Sequence, residues 1–132
     1  MTLRYLVDTD WVVHYVNGHA GIVERLDALK REGLGLSVVS LAELYEGILY
    51  SADPSRSETG LNDFLRVVTL VGIDTEICRS FGRERGRLRA ERTLIADFDL
   101  LIGATALRHN LVLLSNNRRH FERIEGLQIE SR

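Results

Sequence analysis

Leu3-Arg4-Tyr5-Leu6-Val7-Asp8-Thr9-Asp10 is a compact, largely apolar run from Leu3 to Val7, closed by two acids around a threonine. Such a run, without polar alternation, fits a strand covered on both faces. Asp8-Thr9-Asp10 then ends the strand and starts a helix, with Thr9 or Asp10 as the expected cap. Outward from there, Val12, Val13 and Val16 give a first helix its apolar face. Ile22, Val23, Leu26 and Leu29 do the same for a second, which closes at Arg31-Glu32-Gly33. Leu34 to Val39 reads as a second strand, and Ser40 begins a helix carrying Leu41, Leu44, Ile48 and Leu49. The turn cluster Ser51-Ala52-Asp53-Pro54-Ser55 breaks the pattern. Leu61, Phe64 and Leu65 mark another helix, Val67 to Ile73 a short strand, and a helix from Asp74 or Thr75 runs through Ile77, Phe81 and Leu88. Asp97 precedes an apolar helix from Phe98 to His109, Leu111 to Leu114 is a buried strand, and Gln128 to Glu130 an edge strand. Strands alternating with helices, with no linker between them, predict one α/β domain over residues 1–132 around a mainly parallel sheet.

The composition agrees. A chain of 132 residues, 45% hydrophobic, is long enough for one domain to bury a sizeable core without staples. The single cysteine, Cys78, cannot form an internal disulfide, and no Cys/His cluster has zinc spacing, which points to a cytoplasmic setting. No span approaches the roughly 18 apolar residues of a membrane crossing, and the N-terminus lacks the pattern of a signal peptide. The formal charge of −2, from 17 basic and 19 acidic residues, advertises no polyanionic partner. Lys30 is the only lysine, however, and Arg83, Arg85, Arg87, Arg89 and Arg92 crowd one stretch.

Sheets of this kind bind ligands beyond the carboxyl ends of their strands, where the strand order switches. Asp8 follows the first strand, Glu43 lies one turn after the second, and Asn116-Asn117 follow the late strand; Asp97 and Asp99 start the helix before it. Each has a local explanation. Ser40 and Glu43 have capping-box spacing, Asp97 suits an N-cap, and Asp99 favours the positive end of a helix dipole. Gathered in one crevice, though, these carboxylates repel one another and call for a cation. Oxygen ligands without cysteine or a histidine pair suit a hard ion, Mg2+ or Mn2+.

Leu6-Val7-Asp8-Thr9, Ser40-Leu41-Ala42-Glu43-Leu44-x-x-Gly47, Asp97 to Ala106 and Leu114 to Ile124 together resemble the PIN-domain family, and within it the VapC toxins of toxin–antitoxin pairs. The resemblance covers essentially the whole chain. It implies a three-layer α/β/α sandwich and a metal-dependent endoribonuclease that leaves a 5′-phosphate and a 3′-hydroxyl. It also implies a VapB-type antitoxin and a homodimer. By motif position, Asp8 and Asp99 would hold the ion, Glu43 would complete or orient its shell, and Asp97 would be an auxiliary acid. Asn117, where the family often has an aspartate, would position a water or phosphate. Ser115 would bond the metal carboxylates or the scissile phosphate.

At helical spacing, Ile77, Phe81 and Leu88 share a face that Arg85, Arg89 and Arg92 flank on one side. Arg85 and Arg89 are candidate RNA contacts; the alternative is a solvated face paired with Glu84 and Glu91. Arg118-Arg119-His120 is a second basic candidate. Trp11 and Tyr15 suit either the core or an antitoxin-binding patch, as do Tyr45 and Tyr50. The histidines, His14, His19, His109 and His120, show no spacing that implies joint acid–base chemistry. Two rivals remain. Asp8-Thr9-Asp10-Trp11-Val12 fits the nucleophile motif of haloacid-dehalogenase-type phosphatases, although Lys30 comes too early for their basic residue. A PIN module that binds RNA or antitoxin without turnover is the non-enzyme alternative, because Asn116-Asn117 replaces an acid.

Overall fold

Side by side in the order β3-β2-β1-β4-β5, five short strands form one sheet in which every neighbouring pair is parallel. They are β1 (Tyr5–Val7), β2 (Leu34–Ser37), β3 (Thr69–Val71), β4 (Val112–Leu114) and β5 (Ile129–Glu130) in a computed structural model that describes residues 2–132; Met1 lies outside the described residues. Parallel neighbours require crossovers, and helices supply them. On one face lie α1 (Thr9–Val16), α2 (Ala20–Leu29), α3 (Val38–Leu49) and α4 (Pro54–Leu65). The other face carries α5 (Thr75–Ala90), α6 (Asp97–Arg108) and the single turn α7 (Arg118–Phe121). The result is the expected three-layer α/β/α sandwich.

The strand pleat divides the core. Tyr5 and Val7 pack with Trp11, Leu26 and Phe64, while Leu6 between them points the opposite way toward Leu100, Ile102 and Phe121. Leu114 and Leu113 split likewise. Both faces of the central strands are therefore apolar, which is why the sequence shows runs there instead of alternation. Among the described residues, no helix is long and apolar enough to cross a membrane.

Several boundaries differ from expectation. β2 stops at Ser37, whose hydroxyl accepts a hydrogen bond from the Val39 N–H at 3.1 Å, so α3 starts at Val38 and Ser37 is its cap. Ser40 lies inside the helix, fully buried, and its Oγ has no partner. Pro54 does not end a turn but opens α4, with Asp53 accepting from the Arg56 N–H. Ala96 occupies the N-cap position of α6, which has no side-chain cap, and Asp97 is its first residue. Gly33, at φ +95°, is required where the chain enters β2: a Cβ there would collide with the Thr2 carbonyl, and the Gly33 carbonyl accepts from the N–H groups of Arg4 and Tyr5.

Candidate active site

Strand order reverses at β1. Its sequence neighbour β2 lies on one side and the late strand β4 on the other, so the loops after β1 and β4 open beside each other. The Asp8 N–H donates to the Leu114 carbonyl at 3.0 Å and joins them. Asp8 occupies the N-cap position of α1, yet its side chain caps nothing. Its Oδ2 instead accepts from Ser115 Oγ at 2.7 Å, and Ser115 Oγ accepts from the Asn117 N–H at 3.0 Å. Asn117 Nδ2 continues the chain to Asp99 Oδ2 at 3.3 Å, and His120 Nδ1 lies 2.8 Å from that same oxygen. Across the opening, Thr9 Oγ1 donates to Glu43 Oε1 at 2.8 Å. Asp8, Thr9, Glu43, Asp99, Asn117 and His120 thus converge from the end of β1, α1, α3, α6, the β4–α7 turn and α7.

The electrostatics are those of a negative site short of positive charge. Asp8 is 4% exposed. Its carboxyl is pushed up from 3.8 to about 7, chiefly by burial and then by the neighbouring Asp10 charge, against the opposing Ser115 hydrogen bond. Glu43 is raised above the usual carboxylate range, first by burial and then by the charges of Asp99 and Glu46; the Thr9 hydrogen bond works the other way. Asp10 Oδ1 is buried without a partner. No arginine or lysine among the described residues pairs with Asp8, Asp10 or Glu43. An oxygen-rich, cation-poor pocket of this kind fits a hard divalent ion. As the side chains stand, no three His, Cys, Asp or Glu among the described residues are close enough together to hold one.

Other expected residues go elsewhere. The capping box does not form, because Ser37 caps α3 and Glu43 turns to Thr9. Asp97 points out to Arg85, 2.9 Å away, so these two charges neutralise each other at the surface and neither joins the centre. Arg87 takes the role foreseen for a solvated face, pairing with Glu84 at 2.6 Å and Glu91 at 2.7 Å. Arg89 stays exposed and has no ion-pair partner among the described residues. Ser115 is fully buried against Asp8 and cannot reach RNA. Asn116 is structural: its Oδ1 accepts from Trp11 Nε1 and the Arg132 N–H, and its own N–H donates to Asp10. Trp11 itself is core, fully buried, whereas Tyr45 and Tyr50 remain exposed. Lys30, which a phosphatase would need beside Asp8, is bound to Asp27 at 2.7 Å.

Thr9, Asp10 and His120 were not expected in the site. Thr9 and Asp10 are the two residues after Asp8, so their proximity could have been read; only Trp11 and Asn116 reveal how the loops close over Asp10. Next to Glu43, α1, α3 and α4 enclose an apolar pocket of about 260 Å³ that includes Val12, Val13, Leu44, Ile48 and Leu61.

A family model described as PIN domain matches residues 5–127. The chain belongs to the PIN domain family. This PIN domain protein is 30% identical over 131 residues to Ribonuclease VapC2 of Haemophilus influenzae, with 98% of each chain covered. It is 27% identical over 128 residues, 97% of each, to the tRNA(fMet)-specific endonuclease VapC of Salmonella typhimurium. Its fold matches a chain in the crystal structure of VapBC2 from Rickettsia felis bound to a DNA fragment from their promoter, with a TM-score of 0.91 at 26% identity, covering 98% and 99% of the two chains. Within the PIN domain family, the chain belongs with the VapC ribonucleases, which leaves no ground for the phosphatase alternative.

Proposed function

We propose that this PIN domain protein is a VapC-type endoribonuclease toxin that hydrolyses RNA phosphodiester bonds at a divalent-metal centre and is neutralised by a VapB-type antitoxin. The observation that carries the reading is the hydrogen-bonded chain from Asp8 through Ser115 and Asn117 to Asp99, beside Glu43, with no arginine or lysine among the described residues paired to Asp8 or Glu43. Asp8 and Asp99 are the ligands, Glu43 completes the shell, and Mg2+ is the ion, with Mn2+ as a substitute. A cation bound there supplies an activated water and offsets the charge that builds on the scissile phosphate and the leaving oxygen.

The protein's own part is to hold acids ready. Ser115 and the burial around it fix Asp8, Thr9 fixes Glu43, and Asn117 secures Asp99 without adding a further negative charge. Because Asn117 is held by the Ser115 hydroxyl and donates to Asp99, the absence of an acid at this position leaves its positioning role intact, which favours an enzyme over a binding-only module. Arg89, one of the arginines of the stretch with no ion-pair partner among the described residues, contacts the RNA backbone. The apolar pocket beside Glu43, with a neighbouring one that shares Ile48 and is lined by exposed Tyr45 and Leu49, takes an apolar segment of the antitoxin, which then lies over the site. The active unit is a homodimer of one PIN domain per chain in the cytoplasm, and tRNA or other structured RNA is the substrate class.

The test is the chemistry of the product ends. Incubated with a tRNA pool and Mg2+, the protein is expected to release fragments carrying 5′-phosphate and 3′-hydroxyl. Fragments ending in 2′,3′-cyclic phosphate would show that the ribose hydroxyl, not water, is the nucleophile, and would overturn the proposal.

A further inference from the structure

Two side chains from one short element converge on a single oxygen of Asp99. His120 and Asn117 are three residues apart across the start of α7, so they leave the same side of that turn. A carboxylate oxygen offers only lone pairs. His120 Nδ1, at 2.8 Å from Asp99 Oδ2, must therefore carry its proton there and donate it. That excludes Nδ1 as an acceptor for the Asn117 amide 3.1 Å away, so the amide donates to Asp99 as well. Asp99 Oδ1 makes no hydrogen bond among the described residues.

The turn that carries these donors is itself fixed. Phe121 is fully buried in the core beneath it. Arg118 bonds Glu122, the Ile129 carbonyl and Ser131 Oγ, tying the turn to β5. Arg123 donates to the carbonyls of Thr93 and Leu94, just ahead of α6, and so ties the same region to the chain leading into Asp99. Asp99 is adjusted to a rigid frame, not the reverse.

We propose that His120 is a positioning residue of the metal centre: through Nδ1–H, and together with Asn117, it locks Asp99 by one oxygen and leaves the other as the donor to the cation. This rests on the metal-dependent reading above. Donors of this kind orient the acid without competing for the cation as a further carboxylate would, and the outer partners of metal-binding groups commonly matter about 10-fold or more in affinity.

The experiment uses the full chain, Mn2+ alone as the calorimetric probe, and RNA cleavage as a second readout, for the wild type and three variants. His120→Asn places an amide N–H near the position of Nδ1, His120→Gln places one near Nε2, and His120→Leu places none. His120→Leu and His120→Gln are expected to bind Mn2+ at least about 10-fold more weakly and to lose kcat with little change in KM for RNA, while His120→Asn recovers most of both. Unfolding curves for each variant separate this from loss of fold, since His120 is 39% exposed at its side chain and replacing it should leave stability nearly unchanged. Wild-type Mn2+ affinity in His120→Leu would overturn the proposal, as would rescue by Gln in place of Asn, because the ring would then act through Nε2. A wild type that binds no Mn2+ and cuts no RNA would overturn the metal-dependent function as well; normal wild-type behaviour with an indifferent His120→Leu overturns only the positioning role.

Discussion

Replacing Asp8 with asparagine removes a charge that the fold holds out of water, so the variant should cut no RNA and yet be the more stable protein above neutral pH. Asp8 titrates near 3.8 when unfolded and at about 7 when folded. Below the lower value it is protonated in both states and costs nothing. Between the two, the unfolded chain ionises while the folded one retains its proton, and stability falls by roughly 1.4 kcal/mol per pH unit. Above the higher value the loss is complete, at about 4 kcal/mol. Asparagine escapes this loss. Its carbonyl can still accept from Ser115, and its new N–H faces an Asp10 carboxylate with one buried oxygen unpartnered, so little is forfeited in exchange. Allowing for an imperfect amide fit, the variant should gain about 2–4 kcal/mol at pH 8, a melting temperature higher by roughly 5–15 °C. Urea unfolding of both proteins in EDTA from pH 4 to pH 8 measures it. The gap should open across the interval between the two titration points and then level off. A gap that does not change with pH, or a wild type that is more stable at pH 8, would refute the reasoning.

Further outcomes follow from the placement of other side chains. Ser37→Ala should cost about 1 kcal/mol by removing the α3 cap, whereas Ser40→Ala should be neutral or slightly stabilising because its buried hydroxyl has no partner; urea midpoints decide, and the reverse order would restore the capping box. Arg89→Gln should flatten the dependence of RNA binding on log salt by about 0.7, the contribution of one phosphate contact to a single strand. Arg85→Gln should flatten it far less, since Asp97 already neutralises that guanidinium.

The alternation of strands and helices was legible because a buried parallel sheet leaves an unmistakable trace, apolar runs such as Leu3–Val7 followed by helical spacing. Boundaries were harder where the same residues serve two patterns. Val38 and Val39 are β-branched and read as strand, but the Ser37 hydroxyl stops the ladder and starts α3 ahead of them. Asp53-Pro54 reads as a turn, yet aspartate at the cap and proline in the first turn also begin a helix, and α4 uses them so. The positions of Asp8, Glu43 and Asp99, after strands and at a helix start, were legible in the sequence. What tied them together was not. Ser115 reaches Asp8 from the far end of the chain, and Asn117 and His120 reach Asp99 across the α6–β4 crossover. Nothing local to His120 distinguishes it from a surface residue in a basic run, because its role depends on a side chain that the fold alone brings near. The arginine cluster misled for the same reason: its members differ only in which acid the tertiary structure offers them, Asp97 for Arg85, Glu84 and Glu91 for Arg87, none for Arg89.

The central claim, a divalent-metal ribonuclease built on Asp8 and Asp99, is tested most directly by one cleavage series on the same RNA: wild type with Mg2+, wild type with EDTA, the chelated sample resupplied with Mg2+ or Mn2+, and Asp99→Asn with Mg2+. Cleavage that stops with EDTA, returns with either ion and is absent from a folded Asp99→Asn protein is the predicted result. Undiminished cleavage in EDTA, or by Asp99→Asn, would contradict it.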